Sequence, residues 1–553
     1  MRVKDCGESE CPLVMRRIEV QTSPHVKTGR LPQDNSLLKE CGTFVMKKQQ
    51  MGGVKTKCAS STRNASGWNS IDWNRCERKV RKLQVRIAKA QKEKRYNKVQ
   101  ALQHLLVISF GAKALAVKRV TSNKGKRTSG VDKVKWATPT DKLNAIRSLK
   151  RRGYRPSPLK RVYIAKSNGK KRPLGIPTMR DRAMQALYLM ALEPITETTA
   201  DDNSYGFRKY RGTADAIDAL HRWLSRDCSP QWILEGDIKG CFDHISHEWL
   251  LGNVRTDKTV LRKWLKCGVV FNKLLIPTVE GTPQGGIISP TLANTTLDGM
   301  EKLLEERYAK KYMNGKLYYP KVHLVRYADD FCVTADKRKT LEEIKALLND
   351  FLAERGLTLS QEKTKITHVK DGFDFLGFNI RKYNGTLLIK PSKKSQKRFT
   401  EKLHDIIFSH KSVSQQVLIE ELNPVLRGWG NYYKHVVSKR VFSKTDHILT
   451  LQLKRWSYRR HTNKSRKWIK DKYFIKIGSR DWMFGFNYED CDKKYTFVLL
   501  KLADISIERY IKIKKEANPF DTTWDAYFER RQKKGWRVRS AKVDTLSESA
   551  LIM

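Results

Sequence analysis

At 553 residues the chain is too long for one compact core, and its length suggests roughly three to five structural units. It carries 111 Lys and Arg against 57 Asp and Glu, a net charge of +54 spread along its whole length. That excess points to a polyanionic partner, nucleic acid above all, and no apolar run approaches the roughly 20 residues of a membrane-spanning helix. The ten cysteines form no CxxC pair, which argues against a cysteine-based zinc knuckle. No charged-then-apolar leader opens the chain, so a reducing, cytoplasmic setting is expected.

Residues 1–65 are polar and aperiodic and are expected to be a disordered leader, with Met46 and Met51 as alternative starts. Order is expected from Trp68. Trp73, Cys76, Val80, Leu83, Ile87 and Ala90 recur at steps of three and four, the apolar face of an amphipathic helix. Its other faces are almost wholly basic. Arg81, Lys82 and Arg86 in RKLQVR are candidate phosphate contacts, against the plainer reading of a solvated face.

A basic helical extension is read over 66–150. Beyond it, Arg161–Ala165 and Arg172–Ile176 read as a β-hairpin closed by Ser-Asn-Gly, and Asp181–Leu192 as a helix. Trp232–Leu234 reads as a short strand leading to Asp237. In GTPQGGIISP a Gly-rich turn precedes a helix with Ser289 as N-cap and Pro290 as first helical residue. Val322–Ala335 reads as strand, tight turn and strand, Thr340–Arg355 as a helix, and FDFLGFNI as the start of another hairpin. Mixed strands and helices make 151–390 an α+β unit. Ser395–Ser409, Ser414–Lys434 and Lys439–Arg460 read as helices. KRWSYRRHTNKSRK supplies further candidate RNA contacts at Lys454, Arg455, Arg459 and Arg460. Residues 476–535 read as a basic, DNA-binding region and 536–553 as a disordered tail.

VRYADDFCV places Asp329 and Asp330 side by side in a strand context, where like charges repel. An isolated pair would read as a turn. Asp237 reaches a second strand end, and three acids on neighbouring strand ends suit two Mg²⁺ ions and in-line phosphoryl transfer. HISHE at His244–Glu248 lacks the order of a zinc-protease helix, and Lys124–Lys126 is no P-loop.

Tyr327-Ala328-Asp329-Asp330 resembles the YxDD box of reverse transcriptases. KSNGKKRPLGIPTMRDRAMQ, NSYGFRKYRGTADAI, GDIKGCFDHI, GTPQGGIISPTLAN, LSQEKTKI and FDFLGFNI occur around it in that family's order. LRGWGNYYKHVVSKRVF resembles the thumb, or maturase domain, of group II intron-encoded proteins. The resemblance implies a right-hand polymerase with fingers and a ferredoxin-like palm over 151–390 and a helical thumb over 391–475. It implies RNA-directed DNA polymerase activity with two Mg²⁺ held by Asp237, Asp329 and Asp330. Lys166 and Arg172 would grip the triphosphate of a dNTP, Phe242 would exclude a ribose 2′-hydroxyl, and Gln284 would lie on the nucleotide. Lys363 lies in the matching QEKTK segment, and Phe375–Gly377 resembles the primer grip. Partners implied are the parent intron RNA, bound as a splicing maturase, and target DNA in retrohoming. Many relatives end in an HNH endonuclease. Here no Cys follows Cys491 and no His follows His461, so none is expected. The rival readings are a maturase that has lost polymerisation and another kind of prokaryotic reverse transcriptase. Intact acids oppose the first, and the long N-terminal extension and maturase-like thumb oppose the second.

Overall fold

The computed structural model describes residues 67–533 apart from 166–168, 170, 273, 283, 314 and 491–492. The expected leader and tail lie outside the described residues. Two compact units result. The larger comprises Ser66–Ser409, Leu422–Gln452 and the chain from Leu500, and the smaller His410–Glu421 and Leu453–Leu499.

The larger unit opens with three helices, Trp73–Lys92, Tyr96–Ile108 and Phe110–Ser122. Asp72 caps the first by accepting from the Arg75 amide. Its expected apolar stripe faces inward: Cys76, Val80, Ile87 and Ala90 are buried. These helices pack on a long helix, Met179–Thr199, which outruns the expected Asp181–Leu192 and passes through Pro194. Proline removes one helical donor, so the Met190 carbonyl loses its partner. The Gln84 side chain supplies a substitute N–H at 2.8 Å, which lets the helix continue. Among the described residues no single helix is long and apolar enough to cross a membrane. Tyr96–Ile108 and Phe110–Ser122 reach that length only together, across a 65° bend.

Apart from a small two-stranded hairpin, Lys311–Met313 with Lys316–Tyr318, the strands of the larger unit are β1 (Leu159–Ala165), β2 (Lys171–Ile176), β3 (Trp232–Asp237), β4 (Val269–Phe271), β5 (Leu274–Ile276), β6 (His323–Tyr327), β7 (Asp330–Ala335), β8 (Lys365–His368), β9 (Phe373–Phe375), β10 (Phe378–Tyr383) and β11 (Thr386–Pro391). A fingers sheet has the order β2-β1-β4-β5, and a palm sheet the order β8-β3-β7-β6 with every neighbour antiparallel. Helix Arg338–Ala353 covers the palm sheet with Leu341, Ile344, Leu348 and Leu352, one apolar stripe at helical spacing. A meander β9-β10-β11 leads to helix Lys393–Ser409. Ser289, expected as N-cap, is instead the first helical residue. Ile288 occupies the cap position without a side-chain bond, and Pro290 sits in the first turn, where its missing N–H costs nothing.

Two further helices, Gln415–Tyr433 and Lys439–Arg460, match the expected thumb elements closely. In the larger unit Trp429 stacks on Phe399 with centroids 4.3 Å apart, and Tyr432 packs on Phe378. In the smaller unit Trp456 is buried and donates to the His410 carbonyl. Trp429 and Trp456 are thus core residues.

Candidate active site

β3 and β7 run antiparallel, with Asp237 directly opposite Asp330 at their ends. Asp329 sits in the tight turn between β6 and β7, which requires Ala328 to adopt a positive φ of 59°. That conformation is costly for alanine and persists only where neighbours enforce it. Gly206 is one enforcer: a Cβ there would lie 2.4 Å from the Ala328 amide nitrogen, so only glycine lets the two backbones approach. Arg326, fully buried behind the turn, is another. It donates to Asp298 at 2.5 Å, to Asn294 at 3.3 Å and, at 3.5 Å, to the Ala328 carbonyl. Asn294 in turn donates to the Gly206 carbonyl at 2.7 Å, closing the cradle.

The front of the turn is short of positive charge. Asp330 still meets solvent, yet the cleft walls strip part of its hydration and push its carboxyl up to about 6, with Asp329 and Asp237 adding repulsion. Burial likewise raises Asp329, Asp237 raises it further, and Arg172 and Lys363 oppose them. Lys363, which sequence analysis left without a firm role, donates to Asp237 at 2.8 Å from 126 residues away. Among the described residues no three His, Cys, Asp or Glu side chains converge as a ready-made metal site. The ammonium of Lys363 lies on Asp237 instead. The donor set is nonetheless all carboxylate, which suits a hard divalent cation.

One cavity is lined by two of these acids, and a second by the fingers sheet. The first, about 670 Å³, runs from Asp237, Asp330 and Lys363 past Phe375–Gly377 to Lys394, Arg398 and Lys402. Its floor is tied down where the Tyr432 and Tyr433 hydroxyls donate to the Leu376 and Gly377 carbonyls at 2.8 and 3.0 Å. The other, about 350 Å³, lies under the fingers sheet and is lined by Arg161, Tyr163, Phe242, Asp243 and Gln284 among others. Phe242 is buried, with the exposed ring of Phe207 edge-on at 6.4 Å. Arg172 donates from Nε to Gln284 Oε1 at 2.7 Å, and Gln284 Nε2 donates to Asp243 at 3.1 and 3.2 Å. Lys166 lies outside the described residues.

Sequence reasoning singled out neither Asp243 nor Arg326. Their neighbours in sequence, Phe242 and Tyr327, carried the signal, and their own partners lie far along the chain. The expected RNA contacts divide. Lys82 and Arg86 are exposed, whereas Arg81 is engaged by Asp525 at 2.7 Å and by the Pro519 carbonyl. Arg455 and Arg459 are exposed. Lys454 lies 3.5 Å from the Trp482 ring centroid, and Arg460 donates to the Lys411 and Val413 carbonyls.

Family models match along most of the described chain. Residues 164–380 match the reverse transcriptase (RNA-dependent DNA polymerase) model, and 68–149 match the N-terminal domain of reverse transcriptase. Residues 396–474 match the group II intron maturase-specific domain. The group II intron-encoded protein LtrA of Lactococcus lactis subsp. cremoris is 32% identical over 411 residues, covering 58% of this chain and 68% of LtrA. The chain belongs to the group II intron-encoded reverse transcriptases. Protein YkfC of Escherichia coli (strain K12) is 38% identical over 306 residues, 48% of this chain and 79% of YkfC. Telomerase from Candida albicans aligns over 59% of this chain at 12% identity with a TM-score of 0.32, too loose to carry an argument. Family membership makes the chain an RNA-directed DNA polymerase with a maturase domain, of a class that uses divalent metal ions.

Proposed function

We propose that this chain copies RNA into DNA at Asp237, Asp329 and Asp330 and helps splice its parent group II intron RNA. The observation that carries the reading is Asp237 directly opposite Asp330 at adjoining strand ends, with Asp329 in the turn beside them and a basic cleft lined by Asp237 and Asp330. The reaction joins a dNTP α-phosphate to a primer 3′-hydroxyl and releases pyrophosphate. Asp237, Asp329 and Asp330 would hold two Mg²⁺, which when bound neutralise phosphate charge and favour ionisation of the hydroxyl. Burial and then carboxylate repulsion raise the proton affinities of Asp329 and Asp330, and a bound cation would relieve the repulsion.

The protein's own groups do the positioning. Arg172 and Lys166 would grip the triphosphate, Arg172 through its planar fork. Phe242, held rigid by burial, would collide with a 2′-hydroxyl and so select deoxynucleotides. Lys394, Arg398 and Lys402 along the cleft suit the backbone of a primer–template duplex. Lys82, Arg86, Arg455 and Arg459 are exposed cations suited to intron RNA, and target DNA would be engaged in retrohoming. The setting would be cytoplasmic.

One observation favours the scaffold-only rival: Asp237 is paired with Lys363. Splicing of the flanking intron at low Mg²⁺, scored beside primer extension, separates the readings. Asp329→Ala is expected to abolish extension and to keep splicing. A wild type that splices without extending would establish the scaffold.

A further inference from the structure

Backbone hydrogen bonds hold Gly281, Thr282 and Gln284 against their neighbours. Thr282 donates its amide to the Phe242 carbonyl at 2.6 Å, and Gly281 donates to Ile245 at 2.8 Å. Gly281 has φ 83°, and a Cβ there would stand 2.4 Å from the Asp243 carbonyl oxygen, so the loop lies flush on the helix Cys241–His244. Beyond Gln284, its own carbonyl accepts from the Gly175 amide of β2 at 2.8 Å. What remains undetermined by the backbone is which way the side-chain amide faces.

An amide has two ends of similar shape and opposite polarity. Gln284 lies between a group that only accepts, the Asp243 carboxylate, and one that only donates, the Arg172 guanidinium. Only one orientation satisfies both: NH₂ toward Asp243 and Oε1 toward Arg172. The flipped amide would set oxygen against carboxylate and N–H against guanidinium, losing every one of these bonds.

We propose that Asp243 is a positioning residue that sets the Gln284 amide and, through Oε1, the resting place of Arg172, so that the nucleotide site is assembled before a dNTP arrives. This rests on the reading of Gln284 and Arg172 as nucleotide contacts. Asp243 is bonded to Gln284 and, among the described residues, is not part of the primer-cleft lining. Preorganisation of this kind lowers the cost of ordering side chains on binding, so its loss registers in KM for dNTP more than in kcat.

The test is steady-state primer extension on an RNA template with wild type, Asp243→Ala, Gln284→Ala and the double variant, each checked for an unchanged melting temperature. Asp243→Ala is expected to raise KM for dNTP about tenfold with kcat within about threefold. Asp243→Asn, whose oxygen still accepts from the amide, should recover most of the loss and serves if the alanine variant does not fold. The double variant should equal Gln284→Ala alone, because a residue that acts only through its partner has nothing left to orient. Multiplying effects in the double variant, or an Asp243→Ala enzyme with unaltered KM, would overturn the proposal. If Gln284→Ala itself leaves KM unaltered, the underlying reading of Gln284 fails, and the positioning role falls with it.

Discussion

The Asp329–Asp330 turn has two faces of opposite design. In front, among the described residues, the one direct ion pair is that of Lys363, whose side chain is 65% exposed, with Asp237. Behind, Arg326 is fully buried against Asp298, Asn294 and the Ala328 carbonyl, and Glu301 takes two donors from Asn203. The buried acids behind the turn are hydrogen-bonded within the protein, and on the proposed reading the acids in front await ligands. On the proposed reading, stability and catalysis are drawn from different sides of one strand pair.

That contrast predicts separable losses. The largest is expected in front: Asp329→Asn should lower the extension rate about a thousandfold or more, with melting unchanged or raised, because it removes one repelling carboxylate. Behind the turn the readouts exchange. Arg326→Met should cost about 3–5 kcal/mol in chemical denaturation, since it strands Asp298 in the interior. Burial already pushes Asp298 up to about 7, so at pH 5.5 it takes a proton and the variant should lose less than at pH 8. An equal loss at both pH values would break the assignment.

A calorimetric titration sharpens the contrast further. Asp330 binds its proton more tightly in the folded chain, about 6 against an ordinary 3.8. Its contribution to stability is complete below 3.8 and is lost as pH rises through about 6. Asp298 and Glu301 share that sign, both raised to about 7, so pH alone does not separate the faces. Added Mg²⁺ does: it should raise the melting temperature at pH 7.5, do little at pH 5, and do little at either in Asp329→Asn. The smallest effect lies away from both faces. Lys82→Ala with Arg86→Ala should weaken intron RNA binding several-fold and shallow its salt dependence by about one unit per residue, leaving extension on a simple template intact.

Local patterns carried most of the fold into the sequence. Hairpins, the acids at strand ends and the thumb helices depend on periodicity and turn residues within about twenty positions. What the sequence hid depends on distant partners. Lys363 meets Asp237 across 126 residues, and Arg172 meets Gln284 across 112. The chain from Leu500 belongs to the larger unit, although it falls within a stretch read as a single DNA-binding region from 476 to 535. Ile513 and Arg531 there donate to the fully buried Asp215 nearly 300 residues or more upstream, at 2.7 and 3.4 Å. Asp521 and Asp525 pair with Lys92 and Arg81 of the first helix. Composition showed the positive charge of this stretch and could not show that acids elsewhere absorb part of it. For the same reason Arg81 looked like Lys82 and Arg86 in sequence, and only its remote partners set it apart.

The central claim is that the front of the turn is a nucleotidyl-transfer centre and not a relic on a scaffold. Single-nucleotide incorporation on an RNA template with a DNA primer tests it most directly, with wild type and Asp329→Asn compared at fixed Mg²⁺. The account predicts incorporation by the wild type that vanishes without Mg²⁺ and is absent in Asp329→Asn, while both chains remain folded. Incorporation by Asp329→Asn at the wild-type rate, or a folded wild type that incorporates nothing, would contradict it.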